Sequence, residues 1–243
     1  MPTPYDTIGV RYSAQRLPEP AIAAMIDAAL GDAQRVVNVG AGTGSYEPRG
    51  RIVTAAEPSA DMIRQRAPGA APVVQASAEA LPFADGAFDA AMAILTVHHW
   101  GDKARGMAEL RRVSRGQIVI LTHDPDFRGA WLMDYFPELV SLDAGQMPPL
   151  SAYEGWLGPV NIQTVPVPHD CRDGFLYAFW RRPRAYLDPD VRAGMSSFWK
   201  IGGVEEGLAR LARDLETGAW AARYGHLLYQ ESADMGYRLV TTI

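Results

Sequence analysis

Hydrophobic residues near the start of the chain recur at the spacing of an α-helix. Residues 19–31 carry a proline in the first turn, Pro20, and a glycine just past the last turn, Gly31. The apolar positions between them are Ile22, Met25, Ile26, Ala29 and Leu30. Because this spacing puts them on one face, the segment predicts a helix that packs against another element.

Five apolar runs without polar alternation follow this helix. They are residues 35–39, 51–57, 72–76, 88–95 and 116–122. Two helices are predicted among them, one over residues 59–67 with Ser59 as its N-cap, and one that Asp102 caps and that ends at Ser114. Buried strands separated by helices are typical of a parallel sheet covered on both faces. The predicted fold is therefore α/β and doubly wound.

The second half of the chain predicts two more strands. Residues 160–167 predict a sixth strand, which we place near an edge because Pro159, Pro166 and Pro168 cannot donate to a ladder. Residues 237–243 predict a seventh. Two aromatic-rich segments, residues 126–157 and 172–229, are too long for simple connections. We expect them to form helical elaborations over one face, a candidate lid.

Composition and charge exclude several classes of protein. The chain has 243 residues and a composition that does not predict disorder, and its one cysteine cannot form an internal disulfide. Its net charge of −5 does not favour binding to nucleic acid or to an anionic membrane. Its longest apolar run, residues 90–97, is far shorter than a membrane-spanning helix, and the first 16 residues lack the pattern of a secretion signal. A soluble, cytoplasmic protein is expected.

A glycine cluster directly after the first predicted strand carries the chemical signal. Gly40, Gly42 and Gly44 let the backbone adopt positive φ and pass close to a ligand. They form G-x-G-x-G rather than G-x-G-x-x-G, which argues against a nicotinamide dinucleotide. The second strand ends at Glu57, whose carboxylate could accept hydrogen bonds from both hydroxyls of a ribose. Together these features predict a nucleoside site at the switch point of the sheet.

The order and spacing of five motifs resemble the class I S-adenosylmethionine-dependent methyltransferases, more narrowly the type related to ubiquinone and menaquinone biosynthesis. The motifs are residues 38–44, residues 56–59 followed by Met62, residues 78–83, Phe88-Asp89 and residues 97–100. The resemblance extends from Tyr5 to Asp124 and implies a seven-stranded, mostly parallel Rossmann-like sheet. It also implies S-adenosyl-L-methionine as cofactor and S-adenosyl-L-homocysteine as product.

The resemblance assigns a set of cofactor-binding residues. It implies that the glycines flank the methionine part, that Glu57 holds the ribose, and that Pro58, Ser59 and Met62 line the adenine. The full set is Tyr5, Tyr12, Arg16, Gly40, Ala41, Gly42, Gly44, Glu57, Pro58, Ser59, Met62, Ser77, Ala78, Glu79 and Leu95. Tyr5, Tyr12 and Arg16 resemble the family's closing segment, with the arginine near the cofactor's carboxylate.

The chain departs from the family at Ser77, where an aspartate often accepts from the adenine amine. We expect Ala78 to supply a backbone N–H to the adenine, and Ser77 or Glu79 to accept from the amine.

The sequence shows no internal repeat and no low-complexity linker. We therefore expect residues 1–243 to form a single domain, which the resemblance implies is a methyltransferase domain. Its cofactor-binding half is residues 1–124, its substrate-side elaborations around the sixth strand are residues 125–235, and its last strand is residues 236–243.

Histidines follow three of the predicted strands, at the edge where ligands bind in open α/β sheets. His98 and His99 follow the fourth strand, His123 the fifth and His169 the sixth. Methyl transfer from a sulfonium needs no acid and no metal, but a protonated nucleophile needs a base. His99 is the first candidate, followed by His123 and His169. The adjacent Asp124 and Asp170, or a cross-strand group, could hold His123 and His169 in one tautomer. A zinc site is disfavoured because neighbouring side chains of an extended chain point to opposite faces.

The aromatic complement favours a small, flat, uncharged acceptor in a lidded pocket. Its predicted contacts are His98, Trp100, Trp131, Tyr135, Trp156, Phe175, Phe179 and Trp180. The reaction could be C-methylation of an electron-rich ring such as an indole or a quinone-like ring, or O- or N-methylation, and secondary metabolism would suit it. The protein could act as a monomer or a homodimer.

Alternative interpretations stay open at this point. The glycine cluster could be a turn without a ligand, and Glu57 a surface carboxylate paired with Arg51 or Arg64. The aromatic residues could form the core of the elaborations. The whole chain could be a scaffold that binds the nucleoside but transfers no methyl group, or, less favoured, a nicotinamide-dependent oxidoreductase.

Overall fold

The computed structural model describes residues 16–243 of the chain. Tyr5 and Tyr12, two of the predicted cofactor contacts, lie outside the described residues. No helix among the described residues is both long and apolar enough to cross a membrane.

Seven strands among the described residues form one sheet. They are β1 (Arg35–Val39), β2 (Ile52–Ala56), β3 (Val73–Val74), β4 (Ala90–Ile94), β5 (Ile118–His123), β6 (Val160–Pro168) and β7 (Ser232–Thr242). The strand order is β3-β2-β1-β4-β5-β7-β6, and β7 is antiparallel to both of its neighbours while the other pairs are parallel. The order confirms the mostly parallel α/β fold and the edge position of β6.

Helices connect these strands and fill the elaborations. They are α1 (Pro20–Ala29), α2 (Ala60–Arg64), α3 (Lys103–Val113), α4 (Leu132–Tyr135), α5 (Glu138–Gln146), α6 (Leu150–Leu157), α7 (Pro189–Ala193), α8 (Val204–Thr217) and α9 (Ala219–Tyr224). Short 3-10 helices span Val97–His99, Pro183–Leu187, Ser196–Trp199 and Gly225–Tyr229. The two long aromatic-rich segments are thus mainly helical.

Capping residues begin two of the predicted helices where the sequence places them. The Ser59 side chain accepts from the backbone N–H of Met62, and the Asp102 side chain accepts from that of Arg105. Each cap satisfies an N–H that the first helical turn leaves without an intrahelical partner. The helix that follows Asp102 then buries Met107 against the sheet.

The sheet separates two hydrophobic layers, as side-chain alternation along a strand requires. On β1, Val36 belongs to one layer and Val37 to the other. The first layer contains α1 and most of the aromatic residues of the elaborations, and the second contains α3 and α6. The aromatic half of the chain therefore packs mainly on one face.

The structure corrects three predicted boundaries. Helix α2 ends at Arg64 and β3 has only two residues, so both are shorter than predicted. Strand β7 begins at Ser232 rather than at residue 237, because its first residues pair with β6 beyond an irregularity between Thr164 and Pro166. The proline-rich end of β6 thus still has a partner strand, which the apolar pattern alone does not indicate.

The turn after β1 is tightly packed. Gly40 has φ +69°, and a Cβ there would collide with the side chain of Thr96, which follows β4. Gly50 has φ +81° but has nothing within 4 Å of its Cβ position. The two glycines share the left-handed backbone and differ in the space around them.

We expect Gly40→Ala to lower the free energy of unfolding by about 2–5 kcal/mol, which sums a left-handed backbone cost of about 1–2 kcal/mol and an overpacking cost of about 1–3 kcal/mol. Gly50→Ala carries only the backbone cost and serves as the matched control. Urea denaturation of both variants measures the difference. Equal losses would contradict a steric role for Thr96.

Candidate functional site

A cavity of about 360 Å³ lies at the carboxyl ends of β1, β2 and β4, where the strand order reverses. Its walls include all of the predicted cofactor residues that the structure describes except Gly44. These are Arg16, Gly40, Ala41, Gly42, Glu57, Pro58, Ser59, Met62, Ser77, Ala78, Glu79 and Leu95. We call this cavity the first cavity. It lies at the topological switch point, the position at which open α/β sheets bind ligands.

Glu57 holds two walls of the first cavity together. Its Oε2 accepts from the backbone N–H of Gly42 at 2.8 Å, and its Oε1 accepts from that of Ser59 at 2.9 Å. The side chain is buried. The alternative interpretation as a surface carboxylate is therefore wrong, since Arg51 pairs with Asp27 and Arg64 with Asp61.

The glycine cluster contributes its backbone rather than side-chain contacts. Gly42 lines the cavity with φ +52°, and its Cβ position faces open space. Gly44 does not line the cavity; its φ is +93°, and a Cβ there would meet the side chains of Glu47 and Arg66. Gly44 therefore serves the packing of the loop.

Leu95 is the one non-glycine residue with positive φ among the described residues, at +51°. It follows β4 directly and lines the first cavity. A left-handed leucine stores conformational strain, and such strain is concentrated at functional sites.

Arg16 lines the first cavity, and the buried carboxylate of Asp173 holds its side chain in place. Its Nε donates to Oδ1 of Asp173 at 2.5 Å, and the hydroxyl of Tyr46 donates to Oδ2 of the same aspartate at 2.9 Å. Asp173 is fully buried. Because removing one partner of a buried ion pair costs about 3–5 kcal/mol, this pair firmly ties Arg16 to the segment after β6.

The segment at residues 77–79 forms another part of the wall. Ser77, Ala78 and Glu79 all line the first cavity. The Glu79 side chain accepts through Oε1 from the backbone N–H of Gly101 at 2.8 Å and from that of Asp102 at 3.2 Å. Glu79 thus fixes the loop that begins α3.

A second, smaller cavity of about 70 Å³ adjoins the first, and Arg16, Leu95 and His99 line both. His98 and Phe175, two predicted acceptor contacts, line only the second cavity, while Trp100 lines the first. His98 and His99 do not point to opposite faces, as predicted for an extended chain. They lie in a 3-10 helix that brings their ring centroids within 3.8 Å.

His99 lies where the two cavities meet. Its side chain is accessible at the cavity wall, yet the ring lies deep in the protein, and burial lowers its pKa to about 3. Lys200, Lys103 and Arg16 add positive charge that lowers the pKa further. His99 is therefore a neutral ring at pH 7, able to accept a proton.

His123 is the last residue of β5 and lines the second cavity. A cross-strand group orients it, since Nε2 lies 3.2 Å from the carbonyl oxygen of Met235 on β7. The ring fits closely there because Gly236 has no side chain; a Cβ at Gly236 would lie 2.5 Å from Nε2. Burial lowers the pKa of His123 to about 4.

The structure does not bring His169 to either cavity. Its Nδ1 lies 3.2 Å from the backbone oxygen of Glu231 and 3.4 Å from a carboxylate oxygen of the same residue, at the edge of the sheet. The assignment of His169 as a base therefore needs correction, because β7 lies between β6 and the strand ends that form the cavities.

Most of the predicted aromatic acceptor contacts belong to the core instead. Trp131, Tyr135, Trp156, Phe179 and Trp180 line neither cavity. The indole N–H groups of Trp131 and Trp180 donate to backbone oxygens, of Trp180 at 2.7 Å and of Val167 at 3.1 Å, as buried indoles require. All five residues therefore belong to the hydrophobic core or pack against it, as the alternative interpretation proposed.

Several lining residues were not predicted from the sequence. The first cavity includes Asn38, Tyr46 and Thr96, and the second includes Asp143, Gln146, Tyr177 and Tyr237. Asn38 had a usable signal, since it is a polar residue inside the apolar run that becomes β1. The others come from segments whose approach to the sheet depends on long-range packing.

Comparisons with known proteins give a consistent result. A family model described as a methyltransferase domain matches residues 37–120. A protein of Anabaena variabilis, described as a methyltransferase from an antibiotic biosynthesis pathway, is 35% identical in sequence; the match covers 94% of this chain and 99% of that one, with a TM-score of 0.87. A search of curated protein sequences gives no match.

Two more distant structures share the fold. One, from Thermotoga maritima, is described as an S-adenosylmethionine-dependent methyltransferase; it is 13% identical, covers 98% of this chain and 93% of its own length, and has a TM-score of 0.56. The other, the YcgJ protein of Bacillus subtilis, is 17% identical, covers 91% of this chain and 96% of its own length, and has a TM-score of 0.54.

We expect the ring of His123 to stay neutral as the pH falls through 6.5 and to take up its proton only near pH 4, because burial lowers its pKa from the usual 6.5. In the unfolded chain it takes up its proton near pH 6.5, so its contribution to stability is present above that pH and is lost as the pH falls through 4. NMR titration of ¹⁵N-labelled histidines, with His123→Gln to assign the signals, measures this. A midpoint near 6.5 would contradict the burial argument.

Proposed function

The chain belongs to the class I S-adenosylmethionine-dependent methyltransferases, and we propose that it methylates a small aromatic or otherwise apolar metabolite. The observation that carries the proposal is the pair of adjoining cavities, which share Arg16, Leu95 and His99. The first has the polar groups that a nucleoside and an amino acid require. The second has a mixed wall, in which aromatic and other apolar side chains lie beside polar ones.

The residues of the first cavity fit S-adenosylmethionine. Glu57 offers carboxylate oxygens to ribose hydroxyls, and Arg16 offers a guanidinium to the carboxylate of the methionine part. Gly40, Ala41 and Gly42 would flank the methionine part, and the open space above Gly42 leaves room for the backbone to contact it closely.

The adenine ring would lie among the remaining residues of that wall. Pro58, Ser59 and Met62 would line the ring, and Ala78 would donate its backbone N–H. Ser77 or Glu79 would accept from the amine in place of the aspartate that is common in the family. Because Oε1 of Glu79 already accepts from two backbone groups, its carboxylate is held in place before a ligand arrives.

S-adenosylmethionine supplies a methyl group that its sulfonium already activates for displacement. The contribution of the chain is to hold the acceptor atom about 3–3.5 Å from that methyl group and in line with the bond that breaks. Leu95 and His99 would do this, since both residues line the two cavities. His99 would accept the proton of a hydroxyl or ring N–H; its low pKa makes it a weaker base than an exposed imidazole, so alignment carries most of the rate.

The wall of the second cavity supports an aromatic acceptor. Phe175, Tyr177 and Tyr237 contribute rings to it, and Met147 and Met195 contribute flexible apolar chains. An indole, a phenol or a quinone-like ring has the chemistry for this wall. The likeness to a protein from an antibiotic biosynthesis pathway supports a role in secondary metabolism, in which residues 1–243 act as a single methyltransferase domain.

We expect Glu57→Gln to weaken the binding of S-adenosylhomocysteine by about 10- to 100-fold, the size of a lost hydrogen bond to a charged group. Glutamine has one acceptor oxygen, whereas both oxygens of Glu57 accept from backbone N–H groups, so one N–H would meet another donor. Isothermal titration calorimetry measures the loss.

Glu154→Gln is the control for this experiment, since it makes the same change on the exposed face of α6. NADH is the control ligand. Binding of NADH alone by the unaltered protein would contradict the proposed cofactor site.

We expect His99→Ala to lower turnover by about 10²-fold, the lower end of the range for loss of a general base because its low pKa makes it a weak base, with the affinity for S-adenosylhomocysteine changed by less than about threefold. The assay follows S-adenosylhomocysteine formed with a panel of hydroxylated and N–H aromatic acceptors. His226→Ala, at an exposed position outside both cavities, is the control. Unchanged turnover in His99→Ala would remove His99 from the mechanism, and a lack of product with every acceptor would favour a scaffold that transfers no methyl group.

A further inference from the structure

The wall of the second cavity includes His123 and a buried carboxylate from α5 that lies close to it. Asp143 is 2% exposed, and its Oδ2 lies 3.7 Å from Nδ1 of His123. The hydroxyl of Tyr177 donates to the same Oδ2 at 3.3 Å. Neither Asp143 nor His123 lines the first cavity, so the pair lies apart from the residues proposed to hold the cofactor.

Nδ1 of His123 is a buried acceptor that no described residue satisfies. The other ring nitrogen, Nε2, lies 3.2 Å from the carbonyl oxygen of Met235. A carbonyl oxygen only accepts, so the hydrogen is on Nε2 and the lone pair is at Nδ1. Because burial lowers the pKa of His123 to about 4, this neutral tautomer is the form present at pH 7.

Asp143 and His123 therefore face each other as two acceptors. Their separation of 3.7 Å is longer than the usual range of about 2.7–3.2 Å for a hydrogen bond through nitrogen. Asp143 could itself supply a proton only when protonated. Burial raises its pKa to about 6, which leaves it mainly ionised at pH 7. Tyr177 and Gln146 donate to Asp143. Neither Asp143 nor His123 supplies a hydrogen to the other, however, and Nδ1 of His123 is left without a donor in the described part of the chain.

We propose that Asp143 and His123 form the anchor of the acceptor site and bind a proton-bearing neutral group of the acceptor, a phenol-type hydroxyl or a ring N–H. This inference rests on the proposed function. The anchored group differs from the atom that is methylated, since the anchor residues do not reach the first cavity while His99 does. The acceptor then carries two polar positions joined by an apolar body.

The surroundings of the anchor favour a neutral donor over an ammonium group. The ring of Tyr177 stacks on that of His123, with centroids 5.1 Å apart and planes at 28°. Lys200, whose Nζ donates to the Gln146 side chain at 3.0 Å, brings positive charge to Asp143, and Arg16 lines the same cavity. A further cation would meet their repulsion and would have to lose its water in a cavity of only about 70 Å³.

The test uses two probes that differ in one substituent on the same oxygen atom. 4-Fluorophenol has a hydroxyl donor, and in 4-fluoroanisole a methyl group replaces that hydrogen. Their binding to the full chain saturated with S-adenosylhomocysteine is measured by ¹⁹F NMR line broadening. We expect 4-fluorophenol to bind at least about tenfold more tightly, since only the phenol supplies the missing donor.

Two variants test the named atoms. In Asp143→Asn, the amide nitrogen can donate to Nδ1 of His123 and take the place of the ligand, so the preference for the phenol should fall below about threefold. In His123→Gln, the amide can still donate to the Met235 carbonyl while the Nδ1 acceptor is lost, and the preference should fall similarly. Glu138→Gln, an exposed change on the same helix α5, is the control and should keep the full preference.

The probe experiments test the anchor independently of methyl transfer. Equal binding of the two probes, binding of neither, or a full preference in both Asp143→Asn and His123→Gln would overturn the anchor. Calorimetry with S-adenosylhomocysteine, done first on every variant, reports folding and the cofactor site. Failure of that binding, or of product formation, would count against the proposed function, whereas the preference between the probes is measured without turnover.

Discussion

The first cavity depends on one buried carboxylate. Glu57 directly follows β2, and its two oxygens accept hydrogen bonds from backbone N–H groups of the glycine turn after β1 and of Ser59, the N-cap of α2. A buried charge is tolerated only when hydrogen bonds compensate it, and here the compensating donors are the walls of the site themselves. The same interaction that makes Glu57 acceptable in the interior thus fixes the loop geometry before a ligand binds, which reduces the conformational cost of binding.

A second constraint joins the two halves of the chain. Asp173 follows β6, is fully buried, and accepts from both Arg16 and Tyr46, which lie on either side of α1 and β1. Arg16 lines both cavities, so the position of their shared wall depends on this contact. The first cavity is formed mainly by the ends of neighbouring strands. The second cavity, in contrast, forms only when the helical elaborations are folded onto the sheet.

This difference explains what could be predicted from the sequence. Gly40, Glu57 and Ser59 act within a few residues of the strands and helices that they end or begin, so motif and spacing identify them. The direction in which Trp131 and Trp180 point is decided by contacts with distant segments, so a list of aromatic residues could not separate core from cavity. Asp143 had no local signal at all, since a single acid on a short helix usually faces solvent.

His123 and His169 demonstrate why strand order matters more than strand sequence at such a site. Each lies at the carboxyl end of a strand, and from the sequence they look equivalent. Strand β7 inserts antiparallel between β5 and β6, and this places His123 in the interior and His169 at the rim of the sheet, beside Glu231. Burial then lowers the pKa of His123 and leaves its Nδ1 without a donor. The different chemistry of the two imidazoles thus follows from the position of β7 between β5 and β6. One additional strand spacing of about 4.8 Å is enough to keep the side chain of His169 out of reach of the cavity.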